Sequence, residues 1–240
     1  MAAAKYYNAV VIGASGGIGK ALIDSLADRG IAHIHALSRS AALNLPEGVQ
    51  SGHIDIGDEH SIAAAADSVA EHGPVDLVIV ASGLLHNKNL QPEKSYRALS
   101  GEVLAEYFAV NATGPALVAK HFLPLLSRER RAVFACLSAR VGSIADNRLG
   151  GWYGYRASKA ALNMLIRTLA VELVRTRPQG ICAGLHPGTV DSTLSKPFQR
   201  SAPSLVSPAT AAGNLLHVID GLSVDDSGGV YAWDGKPIPF

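Results

Sequence analysis

Short apolar runs alternate with longer segments of helical spacing from one end of the chain to the other. Residues 9–12 read as a buried strand stopped by Gly13. Residues 19–29 read as a helix with Ala21, Leu22, Leu26 and Ala27 on one face, closed by Gly30. The same logic predicts strands at 33–37, 51–55, 75–81, 132–137, 180–185 and 230–232. It predicts helices at 62–71, 101–126, 153–176 and 209–218, the helix at 101–126 being one of two long ones. Strands that are apolar on both faces and separated by helices predict an α/β fold. The expected architecture is one doubly wound parallel sheet of Rossmann type, in a single domain over residues 1–240. In such a sheet ligands lie across the carboxyl ends of the strands. Periodicity leaves the strand order open.

Composition narrows the class without changing this picture. With 48% hydrophobic and 17% charged residues, the chain can fill a large core. Its net charge of +1, with Lys and Arg scattered, leaves no footprint for nucleic acid. No apolar run approaches the roughly 18 residues of a membrane span, and residues 1–8 show no signal-peptide pattern. A cytoplasmic protein is expected. Cys136 and Cys182 both lie in apolar runs and are expected to be buried, reduced thiols. The nine histidines show no metal-ligand spacing, and no metal site is expected.

Two motifs carry chemistry. Gly13-Ala14-Ser15-Gly16-Gly17-Ile18-Gly19 follows a strand and opens a helix, the setting of a dinucleotide loop. Glycines allow the backbone to turn and approach a pyrophosphate, and the helix start offers free amides and a positive dipole end. About 20 residues on, an acidic side chain would accept from a ribose hydroxyl. Ser38 and Arg39 stand there instead, and Arg39 suits a 2′-phosphate, so NADP rather than NAD is expected. Asp55, with Ile56 beside it, is placed to accept from the adenine amino group.

The second motif is Tyr155 with Lys159, four apart and on one helix face. An ammonium so close is expected to lower the phenol pKa and let Tyr155 exchange a proton near neutral pH.

Together with Asp55, Val80-Ala81-Ser82-Gly83, Val110-Asn111-Ala112-Thr113-Gly114 and Pro187-Gly188, these motifs resemble the short-chain dehydrogenase/reductase family over essentially the whole chain. Residues 139–144, 150–156 and 234–240 most resemble its C-factor and sniffer-type carbonyl reductase branch. The resemblance implies an NADP(H)-dependent oxidoreductase acting on a small carbonyl compound or alcohol, as a homodimer or homotetramer. It implies that Tyr155 is the proton donor and that Lys159 binds the nicotinamide ribose, while Asn111 holds a water. Pro187, Gly188, Val190 and Ser192 would line the nicotinamide, and Ser82 and Gly83 would pass along the cofactor. Residues 192–208 would cover the substrate. The chain departs from the family pattern at Ala139, which stands where a carbonyl-polarising serine is usual. Ser138 is the first candidate for that role and Ser143 the second; the third reading leaves the oxygen to Tyr155 alone. The other functional class kept open is a nucleotide-binding signalling protein on the same scaffold.

Overall fold

The computed structural model describes residues 6–40, 44–201 and 204–240. The expected N-terminal segment is thus described only from Tyr6, and residues 202–203 of the expected substrate-covering loop lie outside the described residues.

Seven parallel strands form one sheet: β1 (Asn8–Ile12), β2 (His33–Ser38), β3 (Val49–His53), β4 (Leu77–Val80), β5 (Ala132–Leu137), β6 (Gly180–His186) and β7 (Val230–Ala232). Their order is β3-β2-β1-β4-β5-β6-β7, so the winding reverses between β1 and β4 and opens a crevice at their carboxyl ends.

The alternation of strand side chains divides the core. Ala9 and Val11 of β1 join one apolar layer with α1 (Gly17–Asp28) and α6 (Pro208–Gly221), through Leu22, Leu26, Leu215 and Ile219. Val10 and Ile12 join the other layer with α2 (Glu59–Ala70), α4 (Gly114–Phe122) and α5 (Tyr153–Leu173), through Ile62, Val69, Phe122 and Ile166. Cys136 and Cys182 are buried free thiols in that second layer, and burial pushes both thiol pKa values up. Among the described residues no helix is long and apolar enough to cross a membrane.

Most elements shift by one to three residues from their expected bounds, and three differ in ways that bear on the site. The third strand starts at Val49 and stops at His53, because at the sheet edge it pairs only with β2, and Asp55 turns into a loop. The fourth strand shrinks to Leu77–Val80, with Val75 making an isolated bridge to Leu126. The predicted helix at 101–126 is not continuous. Helix α3 (Gly101–Phe108) passes through a π-turn, Ala109–Thr113, before α4 begins at Gly114-Pro115. Pro115 has no amide hydrogen to continue a helical ladder, and this break is its consequence.

Candidate active site

At the nucleotide end, Gly13 has φ +89° and donates its amide to Leu37 O at 2.9 Å. A Cβ there would lie 2.8 Å from Ser82 N, so the loop runs against the end of β4. A Cβ on Gly19 would overlap Gly13 O. Gly17 faces Ser192 and Pro208, which brings the segment after β6 and the start of α6 over the loop.

The start of α1 has no side-chain cap and no acidic residue in its first turn. Ser15, Gly16 and Gly17 are exposed there and Ile18 is half-buried. An uncapped, carboxylate-free helix start fits a dinucleotide phosphate. Arg39 is exposed at the end of β2. Ser38 is buried, and its hydroxyl donates to Ser40 O at 2.8 Å, so it shapes the turn that carries Arg39. Asp55 Oδ1 accepts from Gly57 N at 2.9 Å, and Ile56 is buried beside it.

At the chemical end, the first turns of α5 hold Tyr155 and Lys159, both buried. Lys159 Nζ lies 5.9 Å from the Tyr155 ring centre and donates to Leu137 O at 2.8 Å. Asn111 lies in the π-turn. Its Oδ1 accepts from Leu84 N and its Nδ2 donates to Leu84 O, both at 2.8 Å, with Ser158 Oγ at 3.1 Å. A methyl built on Gly83 would sit 3.6 Å from Asn111 Oδ1 and 3.7 Å from Lys159 Nζ. The fold therefore brings Gly83, Asn111 and Lys159 to one point. Gly142 presses the turn after β5 onto α5, where a Cβ would come 2.8 Å from Lys159 Cβ.

The expected lowering of the Tyr155 pKa is not found. Burial pushes the phenol from 10.0 up to about 12, and burial also brings Lys159 from 10.5 down to about 8. Withdrawal of water sets the direction of both shifts, and Nζ is turned to a backbone carbonyl.

The Lys159 shift has a sign that can be checked. Between pH 8 and 10.5 the unfolded chain binds more protons at this residue than the folded one. Its contribution to stability therefore rises with pH across that window. Lys159→Met should lose that rise. Urea unfolding of wild type and variant at pH 8 and pH 10 measures it, and parallel changes in the two proteins would refute it.

The serine candidates are separated by the geometry. Ala139 is extended and packs with Tyr155 in a small apolar cluster. Ser138, one residue earlier, donates its hydroxyl to Asn163 Oδ1 at 2.6 Å, and Asn163 in turn donates to Gly142 O at 3.3 Å. Asn163 stands eight residues after Tyr155, about 12 Å along the helix axis at ~1.5 Å per residue. Ser143 is buried and accepts from Asp146 N at 3.1 Å.

The substrate side is aromatic and apolar. Tyr155 packs with Leu85, Leu90, Tyr107 and Ala139, and Trp152 and Phe198 lie against this group. Trp152 meets Tyr155 edge-on at 6.1 Å and Phe198 at 5.1 Å. Tyr107 anchors its hydroxyl on Leu85 O at 2.7 Å. Phe198, in the segment expected to cover the substrate, thus reaches the ring that flanks Tyr155. Pro187, Gly188 (φ +77°) and Val190 follow β6, with Trp233 against Gly188. The sequence reading missed Tyr107 and Asn163. A signal was present, since each stands four residues from a named site residue, Asn111 and Lys159 respectively.

Comparison with known proteins agrees with this fold. Residues 7–202 match the pattern of the short chain dehydrogenase family. C-signal of Myxococcus xanthus is 35% identical over 169 residues, 70% of this chain and 94% of that protein. NADPH-bound carbonyl reductase from chicken fatty liver superposes with a TM-score of 0.86 at 26% identity, covering 98% of this chain and 100% of that one. Carbonyl reductase Sniffer of D. melanogaster shares the fold, with a TM-score of 0.86 at 24% identity over 98% and 99% of the two chains. A glycine loop that can cradle a dinucleotide, a buried Tyr155–Lys159 pair beside Asn111, and a family match over most of the sequence converge: this chain belongs to the short-chain dehydrogenase family.

Proposed function

We propose that the protein is an NADP(H)-dependent oxidoreductase of carbonyl reductase type, acting between a carbonyl compound and its secondary alcohol. The observation that carries this reading is the meeting of Tyr155, Lys159, Asn111 and Gly83 at the carboxyl edge of the sheet, beside the glycine loop. A bound nicotinamide supplies or accepts the hydride. The chain's own part is the proton: Tyr155 hands its hydroxyl proton to the carbonyl oxygen, or takes one back from the alcohol. Tyr155 is protonated at neutral pH, the form that reduction needs, and burial strengthens that preference. Lys159, with Nζ 5.9 Å from the Tyr155 ring centre, would supply replacement protons. The apolar ring of Tyr107, Trp152 and Phe198 would exclude water from the reacting carbonyl. Pro187, Gly188, Val190 and Ser192 are the residues that would hold the nicotinamide. Because Ala139 rather than Ser138 faces Tyr155, the carbonyl oxygen is left to Tyr155 as its donor.

The choice of NADP rests on Arg39 and on the absence of an acidic side chain at the end of β2. NADPH should bind more tightly than NADH. Arg39→Ala should remove about 1.5–3 kcal/mol of that preference, the range for a hydrogen bond to a charged group. Fluorescence titration of both cofactors measures this, and a preference that survives Arg39→Ala would overturn the assignment. A panel of aldehydes and ketones followed by NADPH absorbance tests the reductase reading itself.

The second reading, a nucleotide-binding signalling protein, draws on the likeness to C-signal and on Ala139 in the serine position. Tight NADPH binding with no reduction on the panel would favour it. Exposed apolar side chains on α3 and α5, among them Phe108, Met164 and Val171, support the symmetric homo-oligomer expected from the sequence.

A further inference from the structure

The helix that carries Tyr155 begins without a cap of its own. Its N-cap residue, Trp152, makes no capping bond from its side chain and adopts a left-handed backbone, φ 52°. Gly150 and Gly151 before it are also left-handed. The glycines adopt this conformation freely, but a positive φ on a bulky aromatic such as Trp152 costs energy that the surroundings must offset.

Asn147 Oδ1 accepts from Gly150 N, and Arg156 Nε donates to Gly150 O and Gly151 O, but the amides of Trp152 and Gly154 are held by one residue far away in sequence. The backbone carbonyl of Glu93 accepts from Trp152 N at 2.5 Å, and its side-chain Oε2 accepts from Gly154 N at 3.1 Å. Glu93 is 4% exposed, and its Oε1 has no hydrogen-bond partner among the described residues. A carboxylate buried with one oxygen unpaired is retained against a desolvation cost. The benefit lies at the helix start, where an acceptor oxygen within reach satisfies a free amide. Glycine is required at 154 because a Cβ would overlap the Tyr107 ring and come 3.0 Å from Glu93 Oε1. Tyr155 is the next residue.

We propose that Glu93 is a positioning residue for the proton donor: its side chain caps the first turn of α5 from outside and so fixes where Tyr155 and Trp152 stand against the substrate. It touches no reacting atom, and it acts through Gly154. This rests on the reductase reading for its kinetic consequence, but the clamp itself is a structural claim about Trp152.

The test uses variants that separate reach from charge. Glu93→Gln keeps the length and an acceptor for Gly154 N; Glu93→Asp keeps the charge but is one methylene short. All variants keep the backbone bond to Trp152, so only the side-chain cap is probed. Carbonyl reduction should fall tenfold or more in kcat for Glu93→Asp and Glu93→Ala, with NADPH affinity unchanged. Glu93→Gln should stay within about threefold of wild type. Trp152 emission, read in a Trp233→Phe background that leaves it the only tryptophan, should shift to the red in Asp and Ala but not in Gln. A Glu93→Asp protein with wild-type kcat and emission, or a Glu93→Gln protein as impaired as Glu93→Asp, overturns the proposal. If Glu93→Ala does not fold, the Gln and Asp pair decides. If the wild type reduces no carbonyl, the reductase reading fails while the emission arm still tests the clamp.

Discussion

Tyr155→Phe should lower carbonyl reduction about 10²–10⁴-fold, the range for a positioned general acid, while leaving NADPH affinity within about twofold of wild type. The separation follows from where the hydroxyl acts. Removing one oxygen leaves the ring packed among Tyr107, Trp152 and Ala139, so the pocket keeps its shape. Neither serine candidate offers a replacement hydroxyl, since Ser138 is turned to Asn163 and Ser143 holds the amide of Asp146. An interaction used only in the transition state is lost from turnover and not from binding. Ser138→Ala should by contrast change turnover less than tenfold, its cost appearing as lower stability because Asn163 Oδ1 loses its donor. Stopped-flow reduction with saturating NADPH, paired with cofactor titration, measures both variants. A Tyr155→Phe enzyme that retains a tenth of wild-type turnover would remove Tyr155 from the role of proton donor.

Gly19→Ala should have the complementary effect, abolishing cofactor binding at concentrations that saturate the wild type. The new Cβ would overlap Gly13 O and approach Gly13 C to 2.9 Å and Ala14 Cα to 3.1 Å. These are backbone atoms, held by the Gly13 and Ala14 amide bonds to Leu37 O, and no rotamer change can relieve the contact. Overpacking of this kind costs about 1–3 kcal/mol of stability, and the loop must move to accept it. Gly213→Ala, on the exposed side of α6, is the control, because a Cβ there meets nothing within 4 Å. Calorimetry with NADPH checks the pair, and equal binding by Gly19→Ala and Gly213→Ala would refute the packing argument.

The alternation in β1 was legible because Val10 and Ile12 and their neighbours Ala9 and Val11 are apolar on both faces, a pattern that only a strand covered on both sides can use. The Gly13 loop and the Tyr155–Lys159 spacing were legible for the same reason: each is a local constraint written in adjacent residues. The strand order was not, because it records which strands pair across the sheet rather than any local preference. The direction of the Tyr155 shift was misjudged from sequence because spacing reveals a charged neighbour but not the loss of water around both groups. Glu93 was invisible for a related reason. It reaches Gly154 from sixty-one residues upstream, and no periodicity links a loop carboxylate to a helix it does not belong to. Pro115 did carry a readable signal of the break before α4, overridden by the continuous apolar stripe around it.

The π-turn at Ala109–Thr113 makes chain length in this region a determinant of function. One extra residue in a helical turn advances everything beyond it by about 100° of rotation, given ~3.6 residues per turn. Upstream of the turn, Tyr107 faces the reaction side; downstream, Val118 and Phe122 face the sheet. Two tasks that no single straight helix could serve with one stripe are thereby divided between its halves. Among relatives, a one-residue deletion here would therefore be no neutral trimming of a surface segment. It would re-aim Asn111 and every apolar side chain that follows it.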